Sequence, residues 1–168
     1  MIGTPQVIVL LVALQRLGEL HVARRNTRRL LAAGGHEVGA GHYPVIVGLH
    51  VAWLAALFLF TAHDAPVRWP LLGLFALLQM ARLWIIATLG TLWTTRVIVA
   101  PGASLIRRGP YRFLRHPNYL VVTAEIAVLP LAFGQESAAV LFTVANLLIL
   151  RHRIRIEEEA NTSRAYGS

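Results

Sequence analysis

Two short polar constellations hold most of the side chains able to do chemistry. The first is Gly109-Pro110-Tyr111-Arg112-Phe113-Leu114-Arg115-His116-Pro117-Asn118-Tyr119. Tyr111, Arg112, Arg115, His116, Asn118 and Tyr119 fall within nine residues. Pro117 suits the first turn of a helix, and the free backbone N–H groups of a helix start favour an anionic group. His116 and Tyr119, three apart, then share one helix face. The second is Arg151-His152-Arg153-Ile154-Arg155-Ile156-Glu157-Glu158-Glu159. On a helix, Arg155 and Glu159 are neighbours, as are Arg153 and Glu157. Arginine beside a helix start holds carboxylates, and a glutamate accepts hydroxyl or amino hydrogens. The plainer reading of both clusters is interfacial anchoring, with charges that pair among themselves.

The elements that must position these clusters follow from composition. Of 168 residues, 56% are hydrophobic and 14% charged, against about 25% charged in soluble domains. Mean hydropathy is +0.58, and the apolar residues come in long blocks. A membrane-embedded helical protein is expected, with about five spans of roughly 20 residues each. That leaves one domain, residues 1–168, and no separate soluble catalytic unit. All 16 basic residues are arginine, against 8 acids, giving +8. They cluster between apolar blocks as the positive-inside rule describes, so nucleic acid is not the expected partner. There is no cysteine, which excludes disulfides, a thiol nucleophile and a thiolate-ligated metal.

The first span runs from Pro5 to Ala23, and Arg16 and Glu19 can pair within it. No Lys or Arg precedes the apolar run Val7 to Leu14, so a retained helix is expected rather than a signal peptide. The basic stretch Arg24, Arg25, Arg28, Arg29 follows, then the turn-rich linker Gly34 to Gly41. The second span covers Tyr43 to Thr61, and the third Val67 to Leu89. Trp69 and Trp93 flank the third as interfacial aromatics. Gly90 to Pro117 is polar and broken by Pro101-Gly102 and Gly109-Pro110. The fourth span starts at Pro117 and ends at Ala132 or Phe133. After a tight turn the fifth runs from Ser137 to Glu159, and the last two form a helical hairpin. With the N-terminus outside and the C-terminus inside, thirteen arginines lie on the inner side and only Arg68 on the outer, which sets the expected orientation.

Charged and polar residues inside spans are functional candidates. Glu125 lies roughly opposite His116 in helical phase, outside the main site. Asn146 suits interhelical hydrogen bonding, and Arg82 faces the bundle or snorkels inward. The seven histidines show no HxxxH or HExxH pair and no accompanying carboxylates, so no metal site is expected. Gly39-Ala40-Gly41 is a lone GxG without the strand a dinucleotide fold requires. No inverted repeat of the transporter kind is visible.

The segment Gly109 to Tyr119, followed by Arg155-Ile156-Glu157-Glu158-Glu159, resembles the isoprenylcysteine carboxyl methyltransferase family, over about Ala100 to Glu159. Gln15-Arg16-Leu17-Gly18-Glu19-Leu20 and Arg24-Arg25-Asn26-Thr27 are similar to its small bacterial branch. That branch includes O-methyltransferases of alkylpyrones. The resemblance implies an integral-membrane, S-adenosylmethionine-dependent O-methyltransferase of the bacterial inner membrane, its active site facing the cytoplasm. Residues 100–159 would form the cofactor-binding catalytic part. Tyr111, His116, Pro117, Asn118 and Tyr119 would line the cofactor, Ala103, Ser104, Leu105 and Ile106 would cover it, and Glu159 would bind it. Arg155, the catalytic residue, would face the acceptor, a lipophilic small molecule or a prenylated substrate among membrane lipids. Members acting on prenylcysteine carry an aromatic-rich tail after the glutamates, whereas Tyr166 is the one aromatic there. The alternative is a non-catalytic membrane scaffold or assembly subunit that keeps the fold and binds no cofactor.

Overall fold

Hydrophobic blocks separated by Gly and Pro become helices. The computed structural model describes residues 2–99 and 106–166, with side chains except at His42 and 158–166. Five helices carry the chain: α1 (Thr4–Ala32), α2 (Tyr43–Phe60), α3 (Trp69–Leu89), α4 (Pro117–Ala132) and α5 (Glu136–Tyr166). Four segments are long and apolar enough to cross a bilayer: Thr4–Ala32, Tyr43–Phe60, Trp69–Leu92 and Glu136–Glu157. The protein is therefore all-α and integral to the membrane. Leu59, Phe60, Leu77 and Leu83 are each more than half exposed, as lipid-facing positions should be.

α4 is the short exception, with 16 residues, or about 24 Å at 1.5 Å per residue. It is also the best-buried helix, with Pro117, Val121, Val122, Glu125, Ile126, Val128, Leu129, Pro130 and Ala132 inside. Its far half joins a core of Val9, Val12, Trp53, Leu57 and Phe75. α3 and α5 flank it, and α4 with α5 makes the expected hairpin.

α1 departs from expectation by continuing through the basic stretch to Ala32. Its arginines, leucines and alanines are strong helix formers, and nothing breaks the run before Gly34, where φ is +87°. At 29 residues α1 is about 43 Å long, so it overshoots the roughly 30 Å hydrocarbon core.

Two further differences lie at this end of the bundle. The linker and the polar loop each contribute a three-residue strand, β1 (His36–Val38) and β2 (Val97–Val99). These pair antiparallel with His36 opposite Val99. Arg96 donates to Glu37 at 2.7 Å and lies 4.6 Å from the Tyr43 ring, so the clip also holds the start of α2. Trp93 is not an interfacial aromatic. It is 3% exposed, because Asn26 of α1 donates to the carbonyls of Gly90 and Trp93 and draws the end of α3 inward.

A buried ionic cluster ties three helices together. Arg16 bonds Glu19 at 3.0 Å and Glu125 at 2.8 Å. Arg82, which faces the bundle, bonds Glu19 at 2.7 Å and Glu125 at 3.2 Å. Gln15 links Glu19 to Gln79. Two guanidinium groups against two carboxylates make the cluster neutral, which suits its place among apolar helices.

Candidate functional site

Pro117 is buried as the first residue of α4, so His116 and Tyr119 sit at the helix mouth. The His116 carbonyl accepts from the Tyr119 N–H at 3.1 Å. Their rings stack with centroids 5.2 Å apart and planes 13° from parallel, consistent with the shared face their three-residue spacing predicts. α5 then closes over them. The Tyr119 hydroxyl donates to Glu157 Oε2 at 2.6 Å and accepts from Arg153 Nε at 2.8 Å. His116 Nδ1 lies 3.6 Å from the same Glu157 oxygen. Arg153 Nη2 donates to the Thr95 carbonyl at 2.9 Å, which joins the strand clip to the site.

The remaining expected residues surround this junction unequally. Tyr111 lies in the 3-10 turn Gly109–Arg112 and packs against the cluster of Ala23, Ile85, Trp93 and Val121. Burial, with the charge of Glu157 adding to it, pushes its phenol up to about 12. It therefore stays a neutral hydroxyl throughout the physiological range. Asn118 Oδ1 is buried without a hydrogen-bond donor among the described residues. Ile106 is half-buried beside the turn. Ala103, Ser104 and Leu105 lie outside the described residues, as does the Glu159 side chain. Arg155 is exposed on α5 and makes no hydrogen bond or ion pair among the described residues.

Arg153 and Glu157 thus converge on Tyr119, and sequence reading did not place them in the site. A signal for them existed in the phase of α5. Asn146 bonds Thr123 of α4 at 3.0 Å, and Asn146, Leu150 and Arg153 are all buried. Steps of four, three and four residues run from Asn146 through Leu150 and Arg153 to Glu157, which keeps them on one face. Arg155 is two residues out of step, or about 200° around the helix. Beside this face, Gly39, Gly41, Val45, Leu148, Ile149 and Ile156 help line an open, mainly apolar groove of about 580 Å³ between α2 and α5.

Gly109 sets the turn that carries Tyr111. Its φ is +56°, and a Cβ there would lie 2.6 Å from Thr88 Oγ1, a hydroxyl already committed to the Trp84 carbonyl. Gly109→Ala should therefore cost about 1–3 kcal/mol through strain and the clash together. Thermal unfolding in detergent measures it, and an unchanged midpoint would mean that the turn simply moves aside.

Four helices long enough to cross a membrane, and a shorter buried fifth with a charged, aromatic site at its start, define a membrane-embedded helical bundle. The chain belongs to the isoprenylcysteine carboxyl methyltransferase family: the model of that family matches residues 71–163, a range holding most of α3, β2, α4 and nearly all of α5. At family level this is a membrane methyltransferase. The chain is 34% identical to the uncharacterised protein YpbQ of Bacillus subtilis, over 91% of this chain and 94% of that one. An uncharacterised protein of Haemophilus influenzae is 24% identical, over 86% and 87%. No solved structure matches.

Proposed function

We propose that this protein is an S-adenosylmethionine-dependent O-methyltransferase for the carboxylate or acidic hydroxyl of a lipophilic acceptor. The observation that carries the reading is the junction of His116, Tyr119, Arg153 and Glu157, built from the two sequence constellations that characterise the family resemblance. The donor set suits the cofactor. Glu157 can accept hydroxyl or amino hydrogens, and the buried Asn118 Oδ1 has no donor among the described residues. At the start of α4 Asn118 can still offer its N–H to a carboxylate, those of Tyr119 and Leu120 being bonded to the His116 carbonyl. When bound, the cofactor supplies a methyl group already activated on a sulfonium.

What remains for the protein is to position the acceptor and exclude water. A carboxylate nucleophile needs no base, and an acidic enol is already ionised near neutrality. The Arg153 guanidinium suits a carboxylate or enolate, and its Nη1 has no hydrogen-bond partner among the described residues, so it can hold the acceptor's anion. Arg155, on the outer face, is the second candidate for that role. The apolar groove between α2 and α5 suits an acyl or prenyl body. Arginine placement supports a cytoplasmic site with the N-terminus outside, since Arg68 stands apart from the arginines gathered at the site's end.

The test is saturable binding of S-adenosylhomocysteine by the chain purified in mild detergent, followed by methyl transfer to alkylpyrones and to prenylcysteine. Binding with transfer to either acceptor is the expected result. No binding by a demonstrably folded chain would overturn the reading and leave a scaffold that keeps the fold.

A further inference from the structure

The site's end of the bundle exposes cations and large apolar side chains together. Asn26 holds the end of α1 against Gly90 and Trp93. Arg108 donates to the Thr88 carbonyl near the end of α3. These contacts bring Arg24, Arg25, Arg28 and Arg29 to the same end as Arg107, Arg108, Arg112 and Arg115, and all eight are exposed. Between the last two sit Phe113, 76% exposed, and Leu114, 46% exposed. The Arg112 guanidinium lies 5.9 Å from the Phe113 ring.

The acids at this end among the described residues are already engaged. Glu37 is paired with Arg96, and Glu157 accepts from Tyr119. The side chains of Glu158 and Glu159 lie outside the described residues.

We infer that this end is a docking surface for anionic phospholipid headgroups, with Phe113 and Leu114 as a wedge that enters the acyl boundary while the arginines meet the phosphates. Position alone would put arginines here, because positive charge gathers on the inner side of a membrane. It would not put the most exposed aromatic side chain of the loop between two of them. Apolar tips flanked by cations match the interfacial binding mode, in which apolar burial and attraction to anionic lipid act together. The wedge also lies two to three residues before His116. Seating it fixes the mouth of α4 at headgroup depth, whatever reaction the site performs.

The chain has no cysteine, so Phe113→Cys provides a unique thiol for an environment-sensitive nitrobenzoxadiazole label. The full chain is reconstituted in vesicles of phosphatidylcholine alone or mixed equally with phosphatidylglycerol. In the mixed vesicles the emission should shift to the blue and be quenched by a nitroxide on the lipid acyl chain, with little of either in phosphatidylcholine alone. High salt should reverse the shift, since exposed charges are screened, and so should Gln at Arg24, Arg25, Arg28 and Arg29 together. A label at Arg68→Cys, at the other end, should not respond to lipid charge. The same emission in both vesicles, or a shift that survives high salt, would overturn the inference. An equal response at position 68 would do so as well.

Discussion

Glu125→Ala is expected to destabilise the bundle by about 3–5 kcal/mol, the range for breaking a buried ion pair by removing one partner. The Glu125 side chain is 2% exposed, and one of its oxygens receives both Arg16 and Arg82. Without it, two guanidinium groups share Glu19 alone and a net positive charge is left among apolar helices. Thermal unfolding in mild detergent checks this, with Arg68→Ala as reference, because the Arg68–Glu136 pair is half exposed. Pairing Glu125→Leu with Arg16→Leu removes one charge of each sign, so much of the loss should return. A single-variant loss no larger than that of Arg68→Ala would show that the cluster does not hold the helices together.

Glu157→Gln should weaken S-adenosylhomocysteine binding by about 10–100-fold, since a hydrogen bond to a charged group contributes about 1.5–3 kcal/mol. The fold should survive, because the amide keeps the shape and can still accept from Tyr119. Glu159→Gln is the informative comparison. Family resemblance puts Glu159 on the cofactor, whereas the phase of α5 turns Glu157 toward Tyr119 and His116. Loss with Glu157→Gln and retention with Glu159→Gln would assign the cofactor to the inner face. The opposite pattern would move it to the face that carries Arg155.

Features set by local composition were legible in the sequence. The apolar blocks fixed α2 and α3 to within about two residues, and Pro117 marked the start of α4. That His116 and Tyr119 share one face follows from their spacing once Pro117 starts the helix. Features that depend on distant partners were not. The clip pairs three residues with three across sixty positions, too short a run to show strand periodicity. Arg24 to Arg29 look like a loop when each span is allotted about 20 residues, yet helix propensity carries α1 on through them. Arg16, Glu19, Arg82 and Glu125 were each visible as unusual, but their closure into one cluster depends on how α1, α3 and α4 pack. On α5 two equally spaced Arg/Glu pairs competed. Only the register fixed by Asn146 against Thr123 turns the Arg153 pair inward.

The ionic cluster also imposes an order on biogenesis. α1 enters the membrane first, carrying Arg16 and Glu19 as a self-neutralised pair. α3 then adds Arg82, and the nascent bundle holds one cation too many, of a kind that costs about 2.5–3.5 kcal/mol at the centre of a span. The excess persists until α4 delivers Glu125. A half-synthesised chain is therefore electrostatically incomplete, and the helix that opens the candidate site is also the one whose arrival lets the N-terminal half settle.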